Sequence, residues 1–206
     1  VCVRDDQALF GLPENFGQPD DGECSRFDEV TEDVSGTGRW NSQDGSQLGS
    51  GGLVIMKKRY KIVLAYDGTH YSGYQLQSNG IAVQQRLEEV LEYLNRAPVR
   101  VFGSSRTDAG VHAKGFVAHF DLTKPIPPSN LPRAMNSRLP EDIRVLKASY
   151  AKPDFDARKD AKGKEYRYFL YNDDILTPCL APYWAFMHKR LDVEAMRKAA
   201  HRFVGR

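Results

Sequence analysis

Residues 60–68 read YKIVLAYDG, seven positions of which all but Lys61 are β-branched, aromatic or aliphatic, closed by Asp67-Gly68, a dipeptide that favours turns. The run predicts a strand over 60–66. Working outward, Val83, Leu87, Val90, Leu91 and Leu94 recur at i, i+4, i+7, i+8 and i+11, the single apolar stripe of an amphipathic helix. A short strand over 99–102 and a returning strand over 116–122 (FVAHFDL) follow. Ser129 or Asn130 is placed to cap a short helix running to Arg138, with Pro132 tolerated in its first turn, and 143–150 reads as a further strand.

The order β, α, β, β, α, β predicts an α+β domain over 56–151 in which two helices cover one antiparallel sheet, the ferredoxin-like pattern. A second α+β unit is expected to open at 152–206. Residues 164–171 (KEYRYFLY) alternate aromatic and polar side chains, and Asp192 caps a helix carrying Val193, Met196, Ala200 and Phe203, with Gly205 at its C-terminal cap. One strand and one helix do not close a sheet, so the chain is expected to be a fragment cut inside this second domain. Residues 1–55, as in DVSGTGRWNSQDGSQLGSGG, show no sustained period and too little apolar surface to offset their ordering entropy, which predicts disorder. The chain begins with Val, and Met56-Lys57-Lys58 directly precedes the first strand, so a native start at Met56 is the other reading of this segment.

Composition narrows the classes. The 206 residues are 41% hydrophobic and 27% charged, ordinary globular usage, and no apolar run approaches the roughly 18 residues of a membrane span. Three scattered cysteines give neither a disulfide framework nor a C-x-x-C zinc pair, and the N-terminal stretch lacks the apolar core of a signal peptide; a cytoplasmic protein is expected. The net charge of +2 conceals an asymmetry. Residues 1–55 hold 3 of the 29 Lys and Arg and 11 of the 27 Asp and Glu, leaving 26 against 16 for the remainder. A +10 excess on the folded part suits a polyanionic partner.

Between the second and third strands lies SSRTDAGVHA, residues 104–113. In extended chain i and i+2 project to one side, so Arg106 can lower the pKa of Asp108 or pair with a phosphate, and Ala109-Gly110 lets a ligand approach closely. Taken alone, the segment also reads as an Asx-type turn whose Asp bonds nearby backbone N–H groups.

RTDAGVHA (106–113) resembles the signature of the TruA family of tRNA pseudouridine synthases. YDGTHYSGYQLQ (66–77), NSRLPEDIRV (136–145), FDAR (155–158) and KEYRYFLYN (164–172) are similar to four further landmarks of that family, in the same order. The resemblance implies an isomerase that converts uridine to pseudouridine at positions 38, 39 and 40 of the tRNA anticodon arm. The bond from ribose to base nitrogen breaks, the base turns, and it is rejoined through carbon. Substrate and product are isomers, so the family needs no cofactor and no metal. Asp108 corresponds to its essential carboxylate, which must be ionised near neutral pH, as an unperturbed Asp with a pKa of about 3.9 is.

By the same similarity Arg106 holds the target nucleotide out of its stack, Tyr166 stacks on the extruded base, and Thr107, Gly110 and His112 support the loop. Tyr168 and Tyr171 read as sheet packing. Lys57, Lys58, Arg158, Lys159, Lys162, Lys164 and Arg167 are candidates for a tRNA path. A homodimer is implied for the full-length protein. Three positions depart from the family pattern: Ser105 for Gly, Tyr74 for Trp and Asp156 for His, the last adding negative charge beside a polyanion. The rival is a non-catalytic RNA-binding module on a ferredoxin-like sheet, which predicts an aromatic RNP1 string. KGFVAHF (114–120) shares only its first three residues with that string.

Overall fold

The computed structural model describes residues 2–5, as backbone, and residues 57–205, and these form one unit without a division at residue 151. The disorder expected for residues 6–55 lies outside the described residues. In chain order the elements are β1 (Cys2–Asp5), β2 (Lys58–Tyr66), α1 (Val83–Asn95), β3 (Phe102–Gly103), β4 (His112–Leu122), α2 (Leu131–Asn136), β5 (Ile143–Tyr150), β6 (Lys164–Arg167), β7 (Leu170–Tyr171), β8 (Ala185–Phe186) and α3 (Val193–Ala200).

β2 is buried at Tyr60, Ile62, Leu64 and Tyr66 and only partly covered at the residues between, the period of two that a half-buried strand requires. β4 is covered at every position from Gly115 to Phe120, as befits a strand with neighbours on both edges. The sheet runs β5-β2-β4-β1-β6, with β3 also on β4. β2 pairs antiparallel with both β4 and β5. The α1 stripe of Val83, Leu87, Val90 and Leu91 joins Leu131 and Met135 of α2 in one core with the β2, β4 and β5 side chains.

Five sequence expectations are corrected. The strand expected over 99–102 shrinks to Phe102–Gly103, because α1 side chains take the place of a ladder: Glu88 Oε1 accepts from the Val101 N–H (3.0 Å) and Gln84 Nε2 donates to the Val101 carbonyl (3.1 Å). α2 ends at Asn136 rather than Arg138, and no side chain caps it; the Pro127 carbonyl accepts from the N–H groups of Asn130 and Leu131. The strand expected over 164–171 breaks after Arg167, and Leu170–Tyr171 pairs with β8 in a separate two-stranded sheet. Asp192 does cap α3, accepting from the Ala195 N–H at 2.9 Å, but the helix passes into a 3₁₀ turn at His201–Phe203 and does not end on Gly205.

The fifth correction is β1, which lies within the stretch expected to be disordered. β3 pairs with β4 only at His119 and Ala118, so the same edge of β4 is unpaired nearer its start. β1 pairs there in parallel, opposite His112 to Gly115, and its other edge takes β6 antiparallel. Backbone N–H and C=O groups that would otherwise form an open edge are thereby paired.

Candidate active site

The loop between β3 and β4 alternates in exposure: Arg106 exposed, Thr107 buried, Asp108 exposed. The buried residue is the anchor. Thr107 Oγ1 lies 2.9 Å from Tyr66 Oη at the end of β2, and its carbonyl accepts from the Tyr74 N–H at 3.1 Å. The Gly110 N–H donates to the Tyr71 carbonyl, and the Ser104 N–H to the Val117 carbonyl. The segment 66–74 therefore laces the loop from beneath. Two of its glycines are required by this closeness. A Cβ on Gly73, whose φ is +100°, would sit 2.4 Å from the Thr107 carbonyl oxygen, and one on Gly68 would sit 2.0 Å from that of Val111.

With Thr107 turned inward, Arg106 and Asp108 are left on the open side, as the i, i+2 spacing predicts. Among the described ion pairs none joins them. Arg106 instead lines a cavity of about 480 Å³ together with Tyr166 of β6 and with Arg100, Arg158, Lys159 and Lys164. Five cations against the one carboxylate of Asp156 make this a cavity for an anion. Asp108 lines none of the described cavities and stands exposed two residues from Arg106.

His112 is held at the far end of the loop. Its Nδ1 lies 3.0 Å from Asp67 Oδ1 and 3.2 Å from the Gly68 N–H. The other Asp67 oxygen accepts from Tyr183 Oη at 2.8 Å, and the Tyr183 ring leans on the imidazole at 5.2 Å. Burial alone would raise the Asp67 pKa, but the hydroxyl and N–H of Thr69, then Tyr183 and His112, outweigh it and bring it to about 2. In the sequence Asp67 reads only as a turn residue and nothing points to Tyr183, because the partners His112 and Tyr183 lie 45 and 116 positions away. His119 has other partners: buried in β4, its Nδ1 accepts from the Ala157 N–H at 3.0 Å.

Asp156, the departure that looked awkward beside a polyanion, is engaged within its own turn. Its Oδ1 accepts from the N–H groups of Lys159 (3.0 Å) and Arg158 (2.9 Å), which lowers its pKa. The carboxylate thus shapes the turn that presents two cations to the cavity. Among the described residues no group of three or more His, Cys, Asp or Glu is arranged to hold a metal, and no helix is long and apolar enough to cross a membrane.

Residues 62–158 match the family model described as tRNA pseudouridine synthase. Over most of its described residues the chain is similar to tRNA pseudouridine synthases. It is 45% identical over 148 residues to a tRNA pseudouridine synthase A of an Exiguobacterium species, covering 72% of this chain and 59% of the relative. It is 47% identical over 150 residues to that of Limosilactobacillus fermentum, covering 71% and 58%. The counterpart in Exiguobacterium sibiricum is 50% identical over 113 residues, covering 55% and 45%. The chain spans roughly three fifths or less of the length of these relatives. The family match contains the laced loop, Asp67 and Asp156; Tyr166, Lys164 and Tyr183 lie beyond it.

Proposed function

We propose that this chain carries the catalytic loop of an isomerase that converts uridine to pseudouridine in the anticodon arm of tRNA, at positions 38, 39 and 40, with Asp108 as the essential carboxylate. The observation that carries the reading is the alternation at 106–108: a buried Thr107 fixed by Tyr66 and Tyr74 leaves Arg106 and Asp108 on the open side, with Arg106 entering a cation-lined cavity that also holds Tyr166. Arg106 and its neighbouring cations take the phosphates on either side of the extruded nucleotide, and Tyr166, 52% exposed, offers its ring to the base. Asp108 then serves the cleavage of the C1′–N1 bond. The base rotates, C1′ bonds to C5, and the C5 proton passes to solvent while N1 takes one up, so that atoms and electrons balance without any co-reactant.

Thr107, Gly110 and His112 are the loop's supports in this reading. The strand order β5-β2-β4 with β3 beyond β4 is the order a ferredoxin-like domain requires, and supports that description of residues 58–150. A homodimeric, cytoplasmic enzyme completes the proposal, from family resemblance.

The test is tritium release from tRNA labelled at uridine C5, using the full-length protein and its Asp108→Asn variant. Release by the parent and a loss of at least about 10³-fold in the variant, with tRNA binding retained, is the expected result. Binding of tRNA by the parent without any release would overturn the isomerase and leave an RNA-binding module in its place.

A further inference from the structure

β3 contributes two residues to the sheet, and the first of them, Phe102, is 52% exposed. One face of its ring is covered. It stacks on the imidazole of His119 with centroids 5.1 Å apart and planes 18° apart. His119 is itself fixed from two further sides, by the edge-on ring of Phe155 at 5.9 Å and by the Ala157 N–H on its Nδ1. A rigid aromatic layer thus supports Phe102 from within, and the ring borders the cavity that holds Arg106 and Tyr166.

An isolated exposed apolar side chain calls for no explanation. Phe102 differs in its setting. Its orientation is set by a buried stack, and it shares its cavity with Arg100, Arg106, Arg158, Lys159 and Lys164. A positively charged groove along which an oriented ring is presented is the combination that single-stranded nucleic acid requires: the cations follow the phosphates, and any base offers a π-face to the ring. A protein partner would be expected to bring carboxylates and apolar anchors in a fixed arrangement, whereas the two large exposed side chains that this cavity offers beside its cations, Phe102 and Tyr166, are both flat aromatic rings.

We propose that Phe102 is a stacking platform for an unpaired nucleobase next to the target uridine, so that the cavity binds two successive bases, the target against Tyr166 and its neighbour against Phe102. The inference rests on the function proposed above and adds a second base-binding position to it. Stacking is tolerant of base identity, so this position accepts any of the four bases and helps hold the strand open while the target is extruded. Phe102 makes no contact with the reacting atoms and acts by positioning the strand.

The experiment compares Phe102→Leu and Phe102→Tyr in the full-length protein. Leu keeps an apolar cover over His119 and loses the π-face; Tyr keeps both. The probe is an anticodon stem-loop RNA carrying 5-iodouridine at the nucleotide on either side of the target. Phe102→Leu should weaken binding roughly tenfold without changing the slope of log Kd against log salt, since no phosphate contact is lost, while Phe102→Tyr should stay within about twofold of the parent. Ultraviolet crosslinking of the parent should map to Phe102 from one flanking position. If Phe102→Leu binds as the parent does and no crosslink reaches residue 102, the platform is disproved while tritium release by the parent leaves the isomerase standing. Weakening by both variants, with lowered melting temperatures, would show a packing role and also disprove it. A parent that neither binds the stem-loop nor releases tritium would overturn both proposals together.

Discussion

Tyr74 is only 3% exposed, packs against Phe116 with ring centroids 4.3 Å apart, and its hydroxyl has no hydrogen-bond partner among the described residues. Burial pushes the phenol's pKa well above its ordinary value, so the group stays a neutral O–H. A buried polar atom without a partner costs about 1–3 kcal/mol, and removing it restores part of that. Tyr74→Phe should therefore raise stability by about 1 kcal/mol in urea denaturation; a destabilised variant would mean that the hydroxyl has a partner. The same residue shows what the sequence could and could not convey. The exchange of Trp for Tyr is visible in the string YSGYQ, but whether the hydroxyl meets an acceptor depends on Phe116 and Gly103, some 30 to 40 positions away. The alternation at Arg106, Thr107 and Asp108 was legible, because side-chain direction in extended chain follows from spacing alone.

At the scale of elements, Asp67 ties together the end of β2, the start of β4 and the turn before β8, through Thr69, His112 and Tyr183. Its carboxyl is held at about 2 in the folded protein against an ordinary 3.8, a depressed value, so the stability it contributes is fully present above about pH 4 and disappears as the pH falls from there towards 2. Asp67→Asn should lower the melting temperature at neutral pH and flatten the decline in stability between about pH 4 and pH 2. A variant whose acid limb overlays that of the parent would show that Asp67 is not the group responsible. Long, periodic elements were readable here: the α1 stripe and β2 are where the spacing placed them. Short ones were not. β3 lost its ladder to Glu88 and Gln84, which on the helix read as ordinary polar positions, and β6 separated from β7 because its pairing partner is β1.

For the molecule as a whole, the sheet reaches β6 through β1, which carries pairs with β4 on one side and β6 on the other. Truncation of the first nine residues should leave the β2, β4 and β5 core melting as before, since β2 pairs with β4 and with β5 without β1. Amide exchange at Lys164–Arg167 should accelerate at least tenfold, because those N–H groups lose their partner strand. Unchanged protection there would show that β6 is held otherwise. No sequence pattern announced β1: four residues in an acidic, aperiodic stretch carry no period of their own, and their pairing follows from an edge of β4 that β3 is too short to cover.

The anchoring of Thr107 also sets the limits on transplanting this loop. Residues 104–111 moved alone to another sheet would carry the Arg and the Asp but not the parts that aim them, since Tyr66, Gly73 and the Tyr74 N–H belong to a different stretch of chain. The smallest portable unit is two strand ends with both their loops, 66–74 and 102–113, side by side on neighbouring strands. A designer seeking this geometry elsewhere should search for antiparallel strand pairs that can accept both pieces, and not for a single loop of matching length.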